Sequence, residues 1–167
     1  SEVSLEASLG KFKFDLPIIS SPMDTVTGPA MAKIMHQSGG LGIIHRYNLI
    51  EEQAKNVYLA NTSGTKNVGA AIGMMGDYLH GANVLCVDVA HGHHSAMEEC
   101  IASLTEKFGS DGVHIMAGNV ATLEAFETLA SYGADSVRVG IGGGSICSTR
   151  IVTGHGVPTL QSVFDCA

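Results

Sequence analysis

The chain has 167 residues, with 9 Lys and Arg against 16 Asp and Glu, so its formal net charge is -7 with histidine neutral. A hydrophobic content of 45% excludes wholesale disorder and is sufficient for one domain with its own core. The acidic balance argues against a nucleic-acid surface, and no apolar run approaches the ~20 residues that span a bilayer. Four cysteines without CxxC spacing, and an N-terminus without an apolar signal segment, predict a cytoplasmic protein with reduced thiols.

Six short apolar segments predict the strands of a parallel sheet. Each is a nearly continuous run of about five apolar residues, as expected for strands buried on both faces. The predicted strands are residues 16–20, 41–44, 68–72, 84–88, 113–117 and 136–140. The amphipathic segments between them predict helices at residues 29–37, 50–60, 95–107 and 123–131, with a last helix beginning at Thr159.

Glycine and hydroxyl residues mark the expected helix ends. A helix commonly begins after a Ser or Thr side chain that caps its free N–H groups, and commonly ends at a glycine. The predicted caps are Ser95 and Thr122, and the predicted C-terminal stops are Gly39, Gly40, Gly109 and Gly133.

Alternation of strands and helices predicts βαβ units, which leaves two architectures: an open doubly wound sheet and a (β/α)8 barrel. Chemically versatile segments follow five of the six strands, namely SSPMD, IIHR, VDVAHGHHS, AGN and VGIGGGSICST. An open sheet gathers such groups at one switch point, whereas in a barrel every strand-end loop faces the same mouth. The distribution therefore favours the barrel.

Two features indicate that the barrel is incomplete. A barrel usually needs ~200 residues or more and eight strands, but the sequence provides six. The segment between Ile72 and Val84, around Gly76, is short for a crossover that needs about a dozen residues or more. We therefore expect residues 1–167 to form one catalytic barrel domain that lacks chain near Gly76 and after Ala167.

The loop at residues 140–149, GIGGGSICST, is the most informative segment. Its glycines let the backbone approach a ligand, so that N–H groups can hold a phosphate or carbonyls can hold a cation. Cys147 lies beside Thr149 and Arg150, as a nucleophilic thiolate would. The alternative is a tight turn with an inert cysteine. A dinucleotide fingerprint is rejected, because GIGGGS follows the sixth strand rather than the first.

Two further segments carry open alternatives. Residues 88–95 have three interpretations. They could form a zinc site from Asp88, His91, His93 and His94, or bind a ribose through Asp88 with the histidines at the mouth of the site. The third interpretation is a solvated loop. In residues 20–28 the hydroxyls and Asp24 suit phosphate or sugar contacts, and Met23 could face a base or belong to the core. Asn119 can recognise a ligand edge or form a turn.

Six segments, taken in chain order, resemble the inosine-5′-monophosphate (IMP) dehydrogenase / guanosine-5′-monophosphate (GMP) reductase family. They are SPMDTVTG, GGLGIIHR, VGAAIG, VDVAHGHHS, AGNVAT and GADSVRVGIGGGSICSTRIVTGHGVP. The family fold is a (β/α)8 barrel, of which about six βα units would be present here. The resemblance implies a purine-nucleotide oxidoreductase that uses NAD or NADPH and potassium, and that assembles as a homotetramer.

The resemblance also assigns roles to individual residues. It implies that Cys147 attacks purine C2 and that Thr149 is the catalytic-loop threonine. The implied substrate-binding residues are Ser21, Met23, Asn119, Arg138 and Ser145, with Ser21 and Ser145 at the phosphate. The implied cofactor-binding residues are Asp88, Val89 and Ala90, and the implied potassium ligands are the carbonyls of Gly142, Gly144 and Cys147.

The resemblance leaves the reaction open. GGLGIIHR, NVAT and RIVTGHGVP favour IMP dehydrogenase, which makes xanthosine monophosphate (XMP) with NAD. Asp88-Val-Ala favours GMP reductase, which makes IMP and ammonia with NADPH. No regulatory CBS pair fits between residues 60 and 68. Gly143 stands where the family commonly has Pro or Ser, which predicts a looser loop. An inactive nucleotide-binding partial barrel is the alternative from another class.

Overall fold

The computed structural model describes residues 3–61, 67–74 and 81–167, which form a six-stranded sheet with flanking helices and a separate hairpin. The strands are β1 (Ala7–Leu9), β2 (Phe12–Phe14), β3 (Ile19–Ser20), β4 (Leu41–Ile44), β5 (Val68–Ile72), β6 (Val84–Asp88), β7 (His114–Val120) and β8 (Ser136–Val139). The helices are α1 (Pro29–Gln37), α2 (Ile50–Asn61), α3 (Ala96–Phe108), α4 (Leu123–Ser131), α5 (Thr149–Thr153) and α6 (Thr159–Cys166).

The sheet has the consecutive order β3-β4-β5-β6-β7-β8, and every neighbouring pair is parallel. A doubly wound sheet reverses its strand order at a switch point, whereas a barrel adds strands in one direction. The consecutive order confirms a partial (β/α) barrel of about six units. Within the described ranges, no helix is both long and apolar enough to cross a membrane.

The four central strands, β4 to β7, are buried on both faces, as their continuous apolar sequences predicted, whereas the edge strands β3 and β8 are partly exposed. One face packs against the helices in a core that includes Leu85, Val87 and Ile101. The other face carries Leu41, Ile43, Ala71, Val84, Cys86 and Met116. Leu9 and Phe12 of the antiparallel β1–β2 hairpin pack against this second cluster. The hairpin therefore covers apolar surface on the side of the sheet that faces away from the helices.

Most predicted elements are confirmed, and the differences have local causes. β4, β5, β6, α1 and α4 have the predicted bounds. The predicted first strand is reduced to Ile19–Ser20, because Pro17 has no N–H to donate to a ladder. β7 continues to Val120, three residues beyond the predicted end. The hairpin and α5 were not predicted, because each consists of very short segments.

β5 and β6 are parallel neighbours in the sheet, with Gly69 opposite Val84. Residues 75–80 of the connection between them lie outside the described residues, so the predicted loss of chain near Gly76 falls there. Residues 62–66, where a CBS pair was excluded, also lie outside them.

The helix ends follow the predictions in part. Gly39 and Gly133 have the positive φ of C-terminal stops, at 84° and 99°. Gly109 does not: its φ is -60°, the chain continues as a 3₁₀ turn at Gly109–Asp111, and Gly112 adopts the left-handed conformation at φ 67°. Gly109 is therefore the C-cap of α3, as predicted, and the left-handed glycine comes one turn later, at Gly112.

The two predicted N-caps differ. The Thr122 hydroxyl accepts a hydrogen bond from the Ala125 N–H at 3.3 Å, which confirms it as the cap of α4. Ser95 is the N-cap residue of α3, as predicted, but it has helical dihedrals and its side chain makes no capping hydrogen bond. At α3 the Nδ1 atom of His94 accepts from the Ala96 N–H at 3.1 Å.

We expect Thr122→Ala to lower the free energy of unfolding by about 1 kcal/mol, because it removes the acceptor that caps α4. Denaturant unfolding of the two variants and the parent measures this. Thr122→Ser keeps the oxygen and should stay close to the parent. Ser95→Ala should be nearly neutral, and a loss as large as that of Thr122→Ala would contradict the capping assigned here.

Candidate active site

A cavity of about 610 Å³ opens where β6, β7 and β8 end. Its volume lies within the roughly 300–1,000 Å³ of small-molecule sites. The predicted site residues that line it are Met23, Asp88, Val89, Ala90, Asn119, Gly142, Gly144, Cys147 and Thr149. Parallel strands bring these residues together, because their carboxyl ends meet at one edge of the sheet.

Three predicted residues lie elsewhere. Ser21 and Arg138 line a second cavity of about 200 Å³, together with Ser20 and Met116. Ser145 is exposed and lines neither cavity. The structure therefore brings the expected base and cofactor positions together but leaves the expected phosphate positions, Ser21 and Ser145, outside the large cavity.

The residues of the large cavity to which sequence reasoning assigned no role include Arg46, Tyr47 and Thr159. The Arg46 guanidinium lies 5.2 Å from the centroid of the Tyr47 ring, and its Nε donates to the Asp88 carbonyl at 3.1 Å. The available signal was the position of IIHR directly after a buried strand. Thr159 carried no signal beyond the predicted start of a helix.

An ion pair crosses the sheet beneath the large cavity. Arg138 Nη1 lies 2.5 Å from Asp88 Oδ1 and 3.6 Å from the Cys86 sulfur. β7 lies between the two charged strands, and Gly118 is in register with both Asp88 and Arg138. A Cβ at position 118 would lie 2.7 Å from Arg138 Cβ, so glycine is needed for this crossing.

Burial and hydrogen bonding shift the pKa values of two cysteines in opposite directions. Burial raises the pKa of Cys86 to about 11, although the nearby Arg138 charge opposes this. Cys86 therefore stays protonated at neutral pH. Hydrogen bonds from the Thr149 side chain and backbone lower the pKa of Cys147, and the Arg150 charge adds to them. Since the thiolate is the nucleophilic form of cysteine, the lowered pKa makes Cys147 the better candidate of the two for a nucleophile.

The cysteine loop is fixed by backbone contacts. The Cys147 N–H donates to the Gly144 carbonyl at 3.1 Å, and the Val157 N–H donates to the Ile141 carbonyl at 3.1 Å. Arg150 Nη2 donates to the same Gly144 carbonyl at 3.2 Å. This oxygen already has two donors, one of them cationic, so the arrangement does not fit a potassium ion at Gly144.

The histidine segment does not assemble a zinc site. The Asp88 carboxylate faces Arg138, and His94 caps α3. The rings of His91 and His93 are 6.4 Å apart and edge-to-face. Among the described residues, no three His, Cys, Asp or Glu side chains are placed to hold a metal ion. The zinc interpretation therefore has no ligand set in this part of the chain.

Comparison with known proteins gives consistent matches. The family model for the IMP dehydrogenase / GMP reductase domain matches residues 1–167. An IMP dehydrogenase of Borreliella burgdorferi is 33% identical over 223 residues, covering 99% of this chain and 55% of its own length. A GMP reductase of Albidiferax ferrireducens is 32% identical and covers 96% of this chain and 51% of its own length. The GMP reductase of Leishmania major is 44% identical over 64% of this chain and 23% of its own. The chain spans about half the length of the first two.

We expect Thr149→Val to raise the pKa of Cys147, because the variant loses the side-chain hydrogen bond that favours the thiolate. The pH midpoint for alkylation of Cys147 by iodoacetamide should move upward, and the rate at neutral pH should fall. Peptide mass spectrometry measures the rate at each cysteine.

Thr149→Ser keeps the hydroxyl and should retain the parent midpoint. Cys166, which lies on α6, serves as the internal control and should be unaffected by either variant. If the alkylation rate of Cys147 had the same pH dependence in Thr149→Val and in the parent, Thr149 would not be the residue that lowers the pKa of Cys147.

Proposed function

Because this chain belongs to the IMP dehydrogenase / GMP reductase family, we propose that it forms the Cys147-bearing part of a purine-nucleotide oxidoreductase. The observation that carries the proposal is the position of Cys147. Its thiol has a lowered pKa and lines the large cavity beside Asn119 and Thr149. A purine held there would meet a thiolate on one side and the strand-end residues on the other.

The proposed reaction is the conversion of IMP to XMP with NAD. The Cys147 thiolate donates an electron pair to purine C2, so that a C–S bond forms and C2 becomes tetrahedral. NAD, which Asp88, Val89 and Ala90 would hold, would supply the acceptor for the hydride that leaves C2. Water then adds at C2 and the C–S bond breaks, which returns the electron pair to sulfur and releases XMP. The products are XMP, NADH and a proton.

The residues around Cys147 have distinct proposed roles. Asn119 can donate to and accept from the purine edge, and Met23 provides an apolar surface for the base. Asp88, Val89 and Ala90 form the side of the cavity proposed for the dinucleotide. Arg138 acts through Asp88, since the ion pair orients one carboxylate oxygen and leaves the other available to a ribose hydroxyl.

GMP reductase is the second candidate, and one observation favours it. Relatives of both kinds match this chain with similar identity and do not separate the two reactions. The residues that follow Asp88 are Val89 and Ala90, which contribute no hydroxyl group to the large cavity. In this reaction the Cys147 thiolate would add at C2 of GMP, and the 2-amino group would take up a proton and leave as ammonia. NADPH would supply the hydride that C2 receives as the C–S bond breaks and its electron pair returns to sulfur.

Assembly as a cytoplasmic homotetramer is part of the proposal. Ile151, Val152, Leu160 and Phe164 on α5 and α6 are each more than three-quarters exposed. Their exposure supports burial of these two helices against another part of the protein or another subunit.

We expect Cys147→Ala in the full-length protein to abolish turnover while nucleotide binding survives, because only the covalent step needs the sulfur. Nicotinamide absorbance reports turnover, and calorimetric titration with IMP or GMP reports binding. Cys166→Ala is the matched control and should retain turnover.

The parent enzyme also separates the two reactions. A rise in absorbance with IMP and NAD supports the dehydrogenase, and a fall with GMP and NADPH supports the reductase. Nucleotide binding without either change would favour an inactive nucleotide-binding barrel, and full activity of Cys147→Ala would overturn the thiol mechanism.

A further inference from the structure

Arg150 occupies a slot that two glycines make possible. A Cβ at Gly142 would lie 2.7 Å from Arg150 Cγ and 3.2 Å from its Cδ. A Cβ at Gly156 would lie 2.5 Å and 2.8 Å from the same two atoms. The aliphatic part of Arg150 therefore fills the space that side chains at these positions would need.

The slot directs the guanidinium to one backbone oxygen. Arg150 Nη2 donates to the Gly144 carbonyl at 3.2 Å, and the Cys147 N–H donates to the same atom at 3.1 Å. A carbonyl oxygen has two lone pairs, so these two donors complete its ordinary capacity. The backbone of the reactive cysteine and the arginine thus share one acceptor.

Arg150 is an exposed residue whose guanidinium contacts a backbone carbonyl rather than a carboxylate. In the part of the chain that the structure describes, Arg138 and Asp88 form an ion pair, and Arg150 forms none. A charged donor makes a stronger hydrogen bond to a carbonyl than a neutral one. The loop therefore already contains a cation bound through a carbonyl, which is the kind of ligand that a potassium ion needs.

We propose that the Arg150 guanidinium is the cation that this loop holds at the Gly144 carbonyl, and that a potassium ion reaches this carbonyl only when Arg150 leaves its slot. Arg150 is then a positioning residue for Cys147, since it fixes the acceptor to which the Cys147 backbone is bonded. The inference rests on the proposed function only in taking this loop as the reactive segment.

Thallium(I), a potassium-sized ion, tests this in the full-length protein by equilibrium dialysis at constant ionic strength. Arg150→Gln removes the charged donor, and we expect its thallium affinity to exceed that of the parent by about tenfold, as for loss of one charge-assisted hydrogen bond. Gly156→Ala should give the same direction of change, because its Cβ displaces Arg150 while the charge stays in the chain.

Two variants serve as controls. Arg150→Lys retains a cation beside Gly144 and should bind thallium close to the parent level. Lys55→Gln removes one positive charge from α2 and should leave thallium affinity unchanged. These controls distinguish the effect of the Arg150 contact with Gly144 on thallium affinity from the effect of a general change in net charge.

A higher thallium affinity than the parent in both Arg150→Gln and Gly156→Ala supports the proposal. A higher thallium affinity in Arg150→Gln alone would indicate general repulsion between the Arg150 charge and thallium, without a specific position for Arg150, and would overturn the proposal. Equal thallium affinity in the parent and both variants would also overturn it. No nucleotide or thiol reaction enters the measurement, so its failure is distinct from failure of the proposed function.

Discussion

The parallel register of the sheet is the constraint on which the site depends. Asp88, Gly118 and Arg138 occupy one row across β6, β7 and β8. Because side chains alternate between the two faces of a strand, a slip of one residue in β8 would turn Arg138 to the opposite face from Asp88. One register of β6, β7 and β8 is therefore required by three features. They are the ion pair, the absence of a side chain at Gly118 and the mouth of the large cavity.

The strands could be predicted because burial on both faces leaves a direct signature in the sequence. LGII and VGAAI contain no residue that needs solvent, and both became fully buried strands with the predicted bounds. The β1–β2 hairpin has no comparable local signal, since its strands contain three residues each. An isolated hairpin of this size is marginal in water. It forms here because Leu9 and Phe12 cover apolar residues from β4, β5, β6 and β7.

Which loops form the site followed from topology, but which side chains pair within it did not. The sequence indicated polar segments after the strands, and most of the residues expected near the base and cofactor line the large cavity. Arg138 was expected at the substrate, whereas its guanidinium contacts a carboxylate fifty positions away in the chain. Arg46 reaches the Asp88 carbonyl over a similar separation. Such pairings depend on strand order and register, which a single sequence encodes only through the whole fold.

Gly143 shows how a departure from a family pattern depends on its neighbours. Taken alone, glycine at this position predicts a looser loop. In the structure a Cβ at position 143 would overlap the Thr159 hydroxyl, so the small residue permits α6 to pack against the loop. The loop is also held by the Val157 to Ile141 hydrogen bond and by Arg150 at Gly144. Order therefore comes from contacts that the glycine allows, and the residue at 143 has to be interpreted together with the residue at 159.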